Sequence, residues 1–188
     1  MAKGKGADVY VALMRGINVG GKNAVPMNEL ARIFEAARCT EVATYIQSGN
    51  VVFRAKGDCA DRVPHAVAKI LLDRRGLRVP VVLRTAEELH AVVNANPFVA
   101  AGADAGILHV VFLAQAPSAE CVASLDQGRS PPDEFRVLGS EIYLSCPNGV
   151  GKSKLTNAYF DAKLATTSTM RNWRTVLKLA EMARLARA

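Results

Sequence analysis

The chain of 188 residues is poor in aromatic side chains and has no long apolar segment. Aromatic residues make up 6% of it, and no RNP-like pattern of the kind that stacks RNA bases is present. No apolar run approaches the ~20 residues that a membrane-spanning helix needs. Arg15 interrupts the first apolar stretch too early for a signal peptide. These absences argue against a membrane protein, and we expect a cytoplasmic location.

Cysteine and histidine are also scarce and scattered. There are four cysteines, with no CxxC pair, and three histidines, with no HExxH motif. In a chain of this length, widely separated cysteines do not predict a disulfide framework. We therefore expect neither a metal site nor a cofactor. The cysteines are Cys39, Cys59, Cys121 and Cys146.

No arrangement typical of a catalytic centre stands out. No serine lies in a G-x-S-x-G elbow, no cysteine has a histidine near it in the sequence, and no two carboxylates are set apart by their surroundings. Residues that meet only in space are invisible in a single sequence. An enzyme of unassigned chemistry stays open as the third hypothesis, without a predicted catalytic residue.

The chain is basic, with a formal net charge of +7 and an isoelectric point near 9.5. This balance favours anionic partners such as phosphate or nucleic acid. The positive charges are spread along the chain and form no block of like charge. A solvated basic surface and a nucleic-acid face are therefore both open interpretations.

The first half of the chain shows one recurring order of strands and helices. A buried strand at Val9–Met14 precedes a helix begun by Pro26, whose apolar residues then recur at helical spacing. Two β-branched segments flank the turn Gln47–Asn50 and predict a hairpin. A second helix, closed by Arg74-Arg75-Gly76, leads to a strand at Val79–Arg84. The order β-α-β-β-α-β is that of ferredoxin-like modules.

A second set of elements repeats this order. It follows a helix that begins at the capping box Thr85–Glu88 and a small, polar segment from Pro97 to Gly106. Its strands are predicted at Ile107–Ala114, Glu134–Leu138, Glu141–Ser145 and Ala165–Met170. The predicted fold class is α+β, with two tandem ferredoxin-like modules (βαββαβ plus α) related by structural duplication. Residues 1–98 and 105–188 would form them, either as separate modules or as one compact unit.

A closing helix is predicted from Arg171 onward. Trp173 shares an apolar arc with Leu177, which predicts a core anchor rather than a stacking platform. Arg171 falls on the opposite, polar arc. Asn172 is expected to cap or bridge the helix.

Two loops of the first half are rich in polar residues and are predicted to meet. In the strand order 4-1-3-2, strands one and two run in the same direction, so the loop after strand one and the turn between strands two and three leave the same sheet edge. Their glycines let backbone N–H groups approach a ligand, and their cations and amides suit phosphate or carboxylate. We therefore predict a small-anion or nucleotide-binding site formed by Arg15, Asn18, Gly20, Gly21, Lys22, Asn23, Gln47, Ser48 and Asn50.

A structural role for the same residues is the alternative. Glycine and asparagine are common in tight turns, so the turn at Ser48-Gly49-Asn50 and the loop at Asn18 can be purely structural. The segment Gly16-x-x-x-x-Gly21-Lys22 imitates a P-loop, but Asn23 replaces the Ser or Thr that would bind magnesium. A second glycine-rich loop offers Lys152, Ser153 and Lys154 as a further candidate anion site.

Nucleic-acid binding is the second hypothesis. RNA-binding ferredoxin-like modules stack bases on aromatic residues of the two central strands. Here the exposed face of those strands would offer at most Tyr10, because Phe53 is expected to point inward with Val51.

Several motifs resemble the bacterial domain-of-unknown-function 1697 family. They are, in order, RGINVGGKN, VPMNEL, TYIQSGNVVF, RTAEEL, NPF, GVGKSKLTN and TMRNWRTVLKL. The similarity runs from about Val9 to Ala183, and the alanine-rich segment 100–106 departs from it. The resemblance implies a stand-alone, cytoplasmic α+β protein with a duplicated ferredoxin-like architecture, and it implies no activity.

Overall fold

The computed structural model describes residues 7–21 and 23–187. These residues form two compact units. The described residues of Met1–His90 and Leu179–Ala188 belong to the first unit, and Ala91–Lys178 form the second. The end of the first module at residue 98 and the start of the second at residue 105 remain predictions from the sequence.

The first unit contains a four-stranded antiparallel sheet with the order β2-β3-β1-β4. This order matches the one predicted from the sequence. The elements follow one another as β1 (Asp8–Met14), α1 (Met27–Ala36), β2 (Thr40–Tyr45), β3 (Asn50–Ala55), α2 (Gly57–Ala60), α3 (Val63–Arg75), β4 (Val81–Thr85) and α4 (Ala86–Asn94), the last helix extending into the second unit.

The second unit contains a sheet with the corresponding order β6-β7-β5-β8. Its elements are α5 (Pro97–Ala100), β5 (Leu108–Leu113), α6 (Ala119–Ala123), β6 (Glu134–Leu138), β7 (Glu141–Ser145), a 3-10 helix (Val150–Lys152), α7 (Asn157–Leu164), β8 (Ser168–Asn172) and α8 (Trp173–Leu185), whose end belongs to the first unit. The fold is therefore mixed α and β, with two four-stranded antiparallel sheets. In the described part of the chain, no helix has both the length and the apolar character that crossing a bilayer requires.

One face of the first sheet packs against its helices. Every second residue of β1, from Tyr10 to Met14, joins a core that includes Leu30 and Phe34 of α1 and Leu71 of α3. Such alternation is the period of a strand with one face toward helices. Helix α3 ends as predicted, because Gly76 adopts a left-handed conformation with φ of 66° after two arginines.

Local signals at the helix ends are confirmed. Thr85 and Glu88 form the predicted capping box, since Glu88 N–H donates to Thr85 Oγ1 at 3.0 Å and Thr85 N–H donates to Glu88 Oε2 at 2.8 Å. Asn172 caps α8 by accepting a hydrogen bond from Thr175 N–H at 2.8 Å. Trp173 is buried, as expected of a core residue.

Three side chains lie where the sequence did not place them. Tyr10 was expected on the exposed face, but it is 8% exposed and stacks on Phe53 with ring centroids 5.8 Å apart. The two residues are directly paired across β1 and β3, so they share one face. Arg171 was expected on a polar helix arc, but it belongs to β8 and is buried. Leu177 is 39% exposed, whereas Leu179 fills the core position.

Candidate functional site

The glycine loop (residues 15–23, after β1) and the hairpin turn (Gln47–Asn50) lie against each other. The Asn18 side chain donates through Nδ2 to the carbonyl oxygen of Gln47 at 2.8 Å. The same amide brackets the glycine loop, because Nδ2 also donates to Val25 O at 3.0 Å and Oδ1 accepts from Val25 N–H at 2.7 Å. The structure thus brings the two predicted loops to one edge of the first sheet.

The glycine loop folds back on itself. Asn18 N–H donates to the carbonyl oxygen of Asn23 at 3.1 Å, and Asn23 Nδ2 donates to Gly16 O at 2.8 Å. Between them, Gly20 and Gly21 have φ of 57° and 74°, the values that a tight type I′ turn requires. Both glycines are exposed, and a Cβ atom built on either would have no neighbour within 4 Å.

The hairpin turn is held by hydrogen bonds from a buried residue, Asn50. Asn50 is fully buried, and its Nδ2 donates to Ser48 Oγ at 2.9 Å and to Tyr45 O at 3.2 Å. Gly49, with φ of 72°, lies so close to Ile17 that an added Cβ atom would be 2.7 Å from its Cδ1. The turn therefore closes onto the glycine loop through a glycine that leaves no room for a side chain.

The predicted site residues fall into two groups. The first group uses its side-chain amides in hydrogen bonds within the protein, as the alternative structural interpretation expects, and consists of Asn18, Asn23 and Asn50. Gly20, Gly21 and Gln47 are exposed at the surface, Ser48 is half-buried, and Arg15 is half-buried with its N–H bonded to Pro80 O at 3.0 Å. Lys22 lies outside the described residues.

The second candidate loop borders a cavity of about 340 Å³. Lys152 lines it together with Asp133, a buried carboxylate that accepts a hydrogen bond from Ser130 Oγ at 2.7 Å. Ser153 Oγ accepts from Leu155 N–H at 3.0 Å. Lys154 lies next to the same cavity, since its N–H donates to Ser130 Oγ at 3.0 Å. The carboxylate offsets the lysine charge, which makes this loop the weaker candidate for an anion.

The two buried cysteines, Cys39 and Cys146, lack the environment of nucleophiles. Burial, with a smaller contribution from Cys59, raises the pKa of Cys39 to about 12. Burial likewise raises the pKa of Cys146 to about 11, an effect that nearby Asp133 reinforces and a hydrogen bond with Ser153 opposes. Both thiols therefore stay protonated near neutral pH. Within the described ranges, no group of three or more His, Cys, Asp or Glu side chains is placed to hold a metal ion.

Two surface features were not predicted from the sequence. Ile46, beside the hairpin turn, has φ of 48° and is 49% exposed. A β-branched residue is strained in this conformation. An apolar groove also lies between α3 and the segment before β4. The residues that line this groove come from a helix and from the segment before a strand, so no local sequence pattern predicts the groove.

The fold is similar to that of a solved bacterial protein. The structure of a conserved bacterial protein from Streptococcus pneumoniae matches with a TM-score of 0.72 at 22% sequence identity. The match covers 95% of this chain and 99% of that chain. At this identity the similarity concerns the fold alone. Comparison with curated proteins gives no match.

The sequence matches one family model over most of its length. The model describes a protein of unknown function, domain-of-unknown-function 1697, and the match spans residues 8–143. These residues include the glycine loop, the hairpin turn and the capping box at Thr85. The chain therefore belongs to the domain-of-unknown-function 1697 family.

Proposed function

We propose that the protein binds a small anion, as the phosphate or carboxylate group of a small molecule such as a nucleotide, at the tip of the glycine loop beside the hairpin turn. The observation that carries the proposal is the bracket formed by Asn18, which holds two loops side by side through Gln47. Consecutive glycines at the exposed tip leave the backbone open to a ligand.

The backbone at the tip offers hydrogen-bond donors. Among the described residues, no hydrogen bond uses the N–H of Gly20 or Gly21. Backbone N–H groups next to left-handed residues are common anion ligands in proteins. Because Asn18 and Asn23 already fix the loop, binding would need little additional ordering of the backbone.

Positive charge supports the same proposal. Arg15 is the first residue of the glycine loop, Lys22 follows Gly21 in the sequence, and the whole chain carries a formal net charge of +7. Charge-assisted hydrogen bonds to phosphate or carboxylate are roughly twice as strong as neutral ones. The role of the Asn18, Asn23 and Asn50 amides is then to hold the loops, while the glycine N–H groups and the cations contact the ligand.

A thermal-shift screen tests the proposal. Inorganic phosphate, pyrophosphate, nucleotides, sugar phosphates and small carboxylates would be added to the purified protein. A ligand present at about 100 times its dissociation constant adds about 2.7 kcal/mol to the free energy of unfolding, which gives a clear rise in Tm. No rise with any of these anions at low ionic strength would contradict the proposal.

Nucleic-acid binding is the second candidate, and the net charge of +7 favours it. Burial of both Tyr10 and Phe53 removes the aromatic platform on which RNA-binding sheets of this kind depend. A basic surface would then bind single strands through phosphates alone, with a strong salt dependence. Absent or salt-insensitive binding of single-stranded RNA and DNA would exclude it.

The architecture supports two further proposals. The first is that the two units are ferredoxin-like modules related by duplication. Arg84 and Arg171 are both buried, and they occupy corresponding strand positions, Arg84 paired with Val11 and Arg171 with Val110. Each arginine side chain donates a hydrogen bond to the carbonyl oxygen of the residue before it.

The second proposal is a cytoplasmic location, since all four cysteines are free thiols.

A further inference from the structure

A groove of about 400 Å³ lies on the first unit, between α3 and the segment that leads into β4. This volume is within the range of small-molecule sites. Leu72 of α3 is 40% exposed there, although α3 has a fully buried face through Val67 and Leu71. The floor of the groove is apolar and consists of Ala68, Leu72, Val79 and Pro80.

The rim of the groove carries one unbalanced charge. Lys69 and Asp73 are paired across one helical turn, with Nζ 2.6 Å from Oδ2, and so offset each other. Arg78 also lines the groove and is exposed, and in the described part of the chain it makes no hydrogen bond or ion pair. The remaining rim residue is His65. The groove thus combines an apolar floor with a single available guanidinium group.

We propose that this groove binds a small amphipathic carboxylate, with an aliphatic or aromatic body on Leu72 and Pro80 and the carboxylate on Arg78. The apolar floor releases water when such a body covers it. The guanidinium fork matches the two oxygens of a carboxylate. A neutral or cationic ligand of the same shape would lack this second interaction.

The groove is distinct from the glycine loop, although the two are near each other. Pro80 lines the groove, and its carbonyl oxygen accepts the hydrogen bond from Arg15 N–H. Neither Gly20 nor Gly21 lines the groove. Substitutions in one surface therefore test it without removing the other.

Titration calorimetry and amide NMR with octanoate test the proposal, with octan-1-ol and octylamine as matched neutral and cationic probes. We expect saturable binding of octanoate, at least tenfold weaker binding of octylamine, and shifts of the backbone amide signals of Leu72 and Val79. Arg78→Ala should weaken octanoate binding about tenfold, as expected for a charged hydrogen bond. Arg32→Ala, at an exposed arginine of α1, is the matched control and should change nothing.

A second variant tests the floor. Ala68→Leu fills the groove and suits a helix, so it should abolish octanoate binding while the protein keeps its Tm. If Ala68→Leu does not fold, Leu72→Ser is the substitute, because it removes apolar surface from the floor and should also weaken octanoate binding. Absence of octanoate binding up to about 10 mM would overturn the proposal. Equal affinity for octanoate and octan-1-ol, unchanged in Arg78→Ala, would overturn it as well. Binding of inorganic phosphate should be the same in all these variants, because the glycine loop is intact.

Discussion

The Asn18 side chain and the Gln47 carbonyl oxygen, 2.8 Å apart, join two loops that are 29 residues apart in the sequence. Asn18 has φ of 54°, a conformation that asparagine tolerates better than most residues. Both hydrogens of its Nδ2 are donated to partners within the protein, so the side chain has no donor left for an anion. The residue therefore positions the candidate site and is not itself available to a ligand.

Replacing Asn18 should destabilise the protein. Asn18→Ala removes three hydrogen bonds and leaves alanine at a positive φ. At about 1 kcal/mol for each bond, with the added backbone strain, we expect a loss of about 3–4 kcal/mol in the free energy of unfolding. Urea denaturation measures it. Asn18→Gly, which removes the bonds without the strain, should lose less, and Asn148→Ala, at an exposed position, should be neutral. An unchanged free energy of unfolding in Asn18→Ala would contradict the stabilising role of the Asn18 hydrogen bonds.

Two glycines should respond differently to the same change. Gly49→Ala would place a Cβ atom 2.7 Å from Ile17 Cδ1 and 2.8 Å from Met14 Cβ, in addition to its strain at φ of 72°. Overpacking and strain together should cost about 2–4 kcal/mol. Gly20→Ala has only the strain, about 1 kcal/mol, because the space around it is open. Gly20→Val should be worse, since a β-branched residue resists positive φ. Denaturation midpoints that rank Gly20→Ala below Gly49→Ala would contradict the packing of the turn.

Most of the fold could be predicted from local patterns. The hairpins and helix ends depend on signals a few residues long, such as the Thr85 capping box and Gly76, and these are confirmed. The predicted hairpin Glu134–Leu138 and Glu141–Ser145 agrees with β6 and β7 at every residue. Strand order followed from the β-α-β-β-α-β pattern.

What depends on pairing over long distances could not be predicted. The face of Tyr10 is set by its pairing with Phe53, and a shift of one residue would reverse it. The burial of Arg171 depends on the neighbours that strand β8 acquires in the fold. At the candidate site, proximity of the loops followed from topology. The hydrogen bonds of the Asn18 amide depend on the detailed path of both loops, which no local sequence pattern shows.

His109 should make stability depend on pH. Burial lowers the pKa of its imidazole below the ordinary value of 6.5, against a smaller opposing effect of the Ile107 carbonyl. The unfolded chain then binds more protons below about pH 6.5, so the free energy of unfolding falls as pH decreases through 6.5 toward the folded pKa. His109→Gln should flatten this dependence between about pH 7.5 and 5.5, as measured by urea denaturation. His65→Gln, at an exposed histidine, is the control and should keep the pH dependence of the parent. The same pH dependence of the unfolding free energy in the parent and in His109→Gln would contradict the role of His109.

The thiols should differ in reactivity. Cys39 and Cys146 are buried with raised pKa values, whereas Cys59 and Cys121 are half-buried. In the native protein, a thiol reagent such as DTNB should modify Cys59 and Cys121 first and reach the other two only after unfolding. Peptide mapping after a short exposure distinguishes them. Modification of Cys39 or Cys146 in the native protein at the rate of the unfolded chain would contradict the core packing.

Titration of inorganic phosphate, or of the anion that gives the largest thermal shift, into the parent protein and Lys22→Ala tests the central claim most directly. Loss of one charged hydrogen bond should weaken binding about tenfold. The free energy of unfolding should stay within about 0.5 kcal/mol of the parent, because a lysine in a glycine-rich segment is expected to contribute little packing. Lys163→Ala, at an exposed lysine of α7, is the control and should bind as the parent does. A Lys22→Ala protein that unfolds with the parent and keeps the parent's affinity would contradict an anion site in the glycine loop.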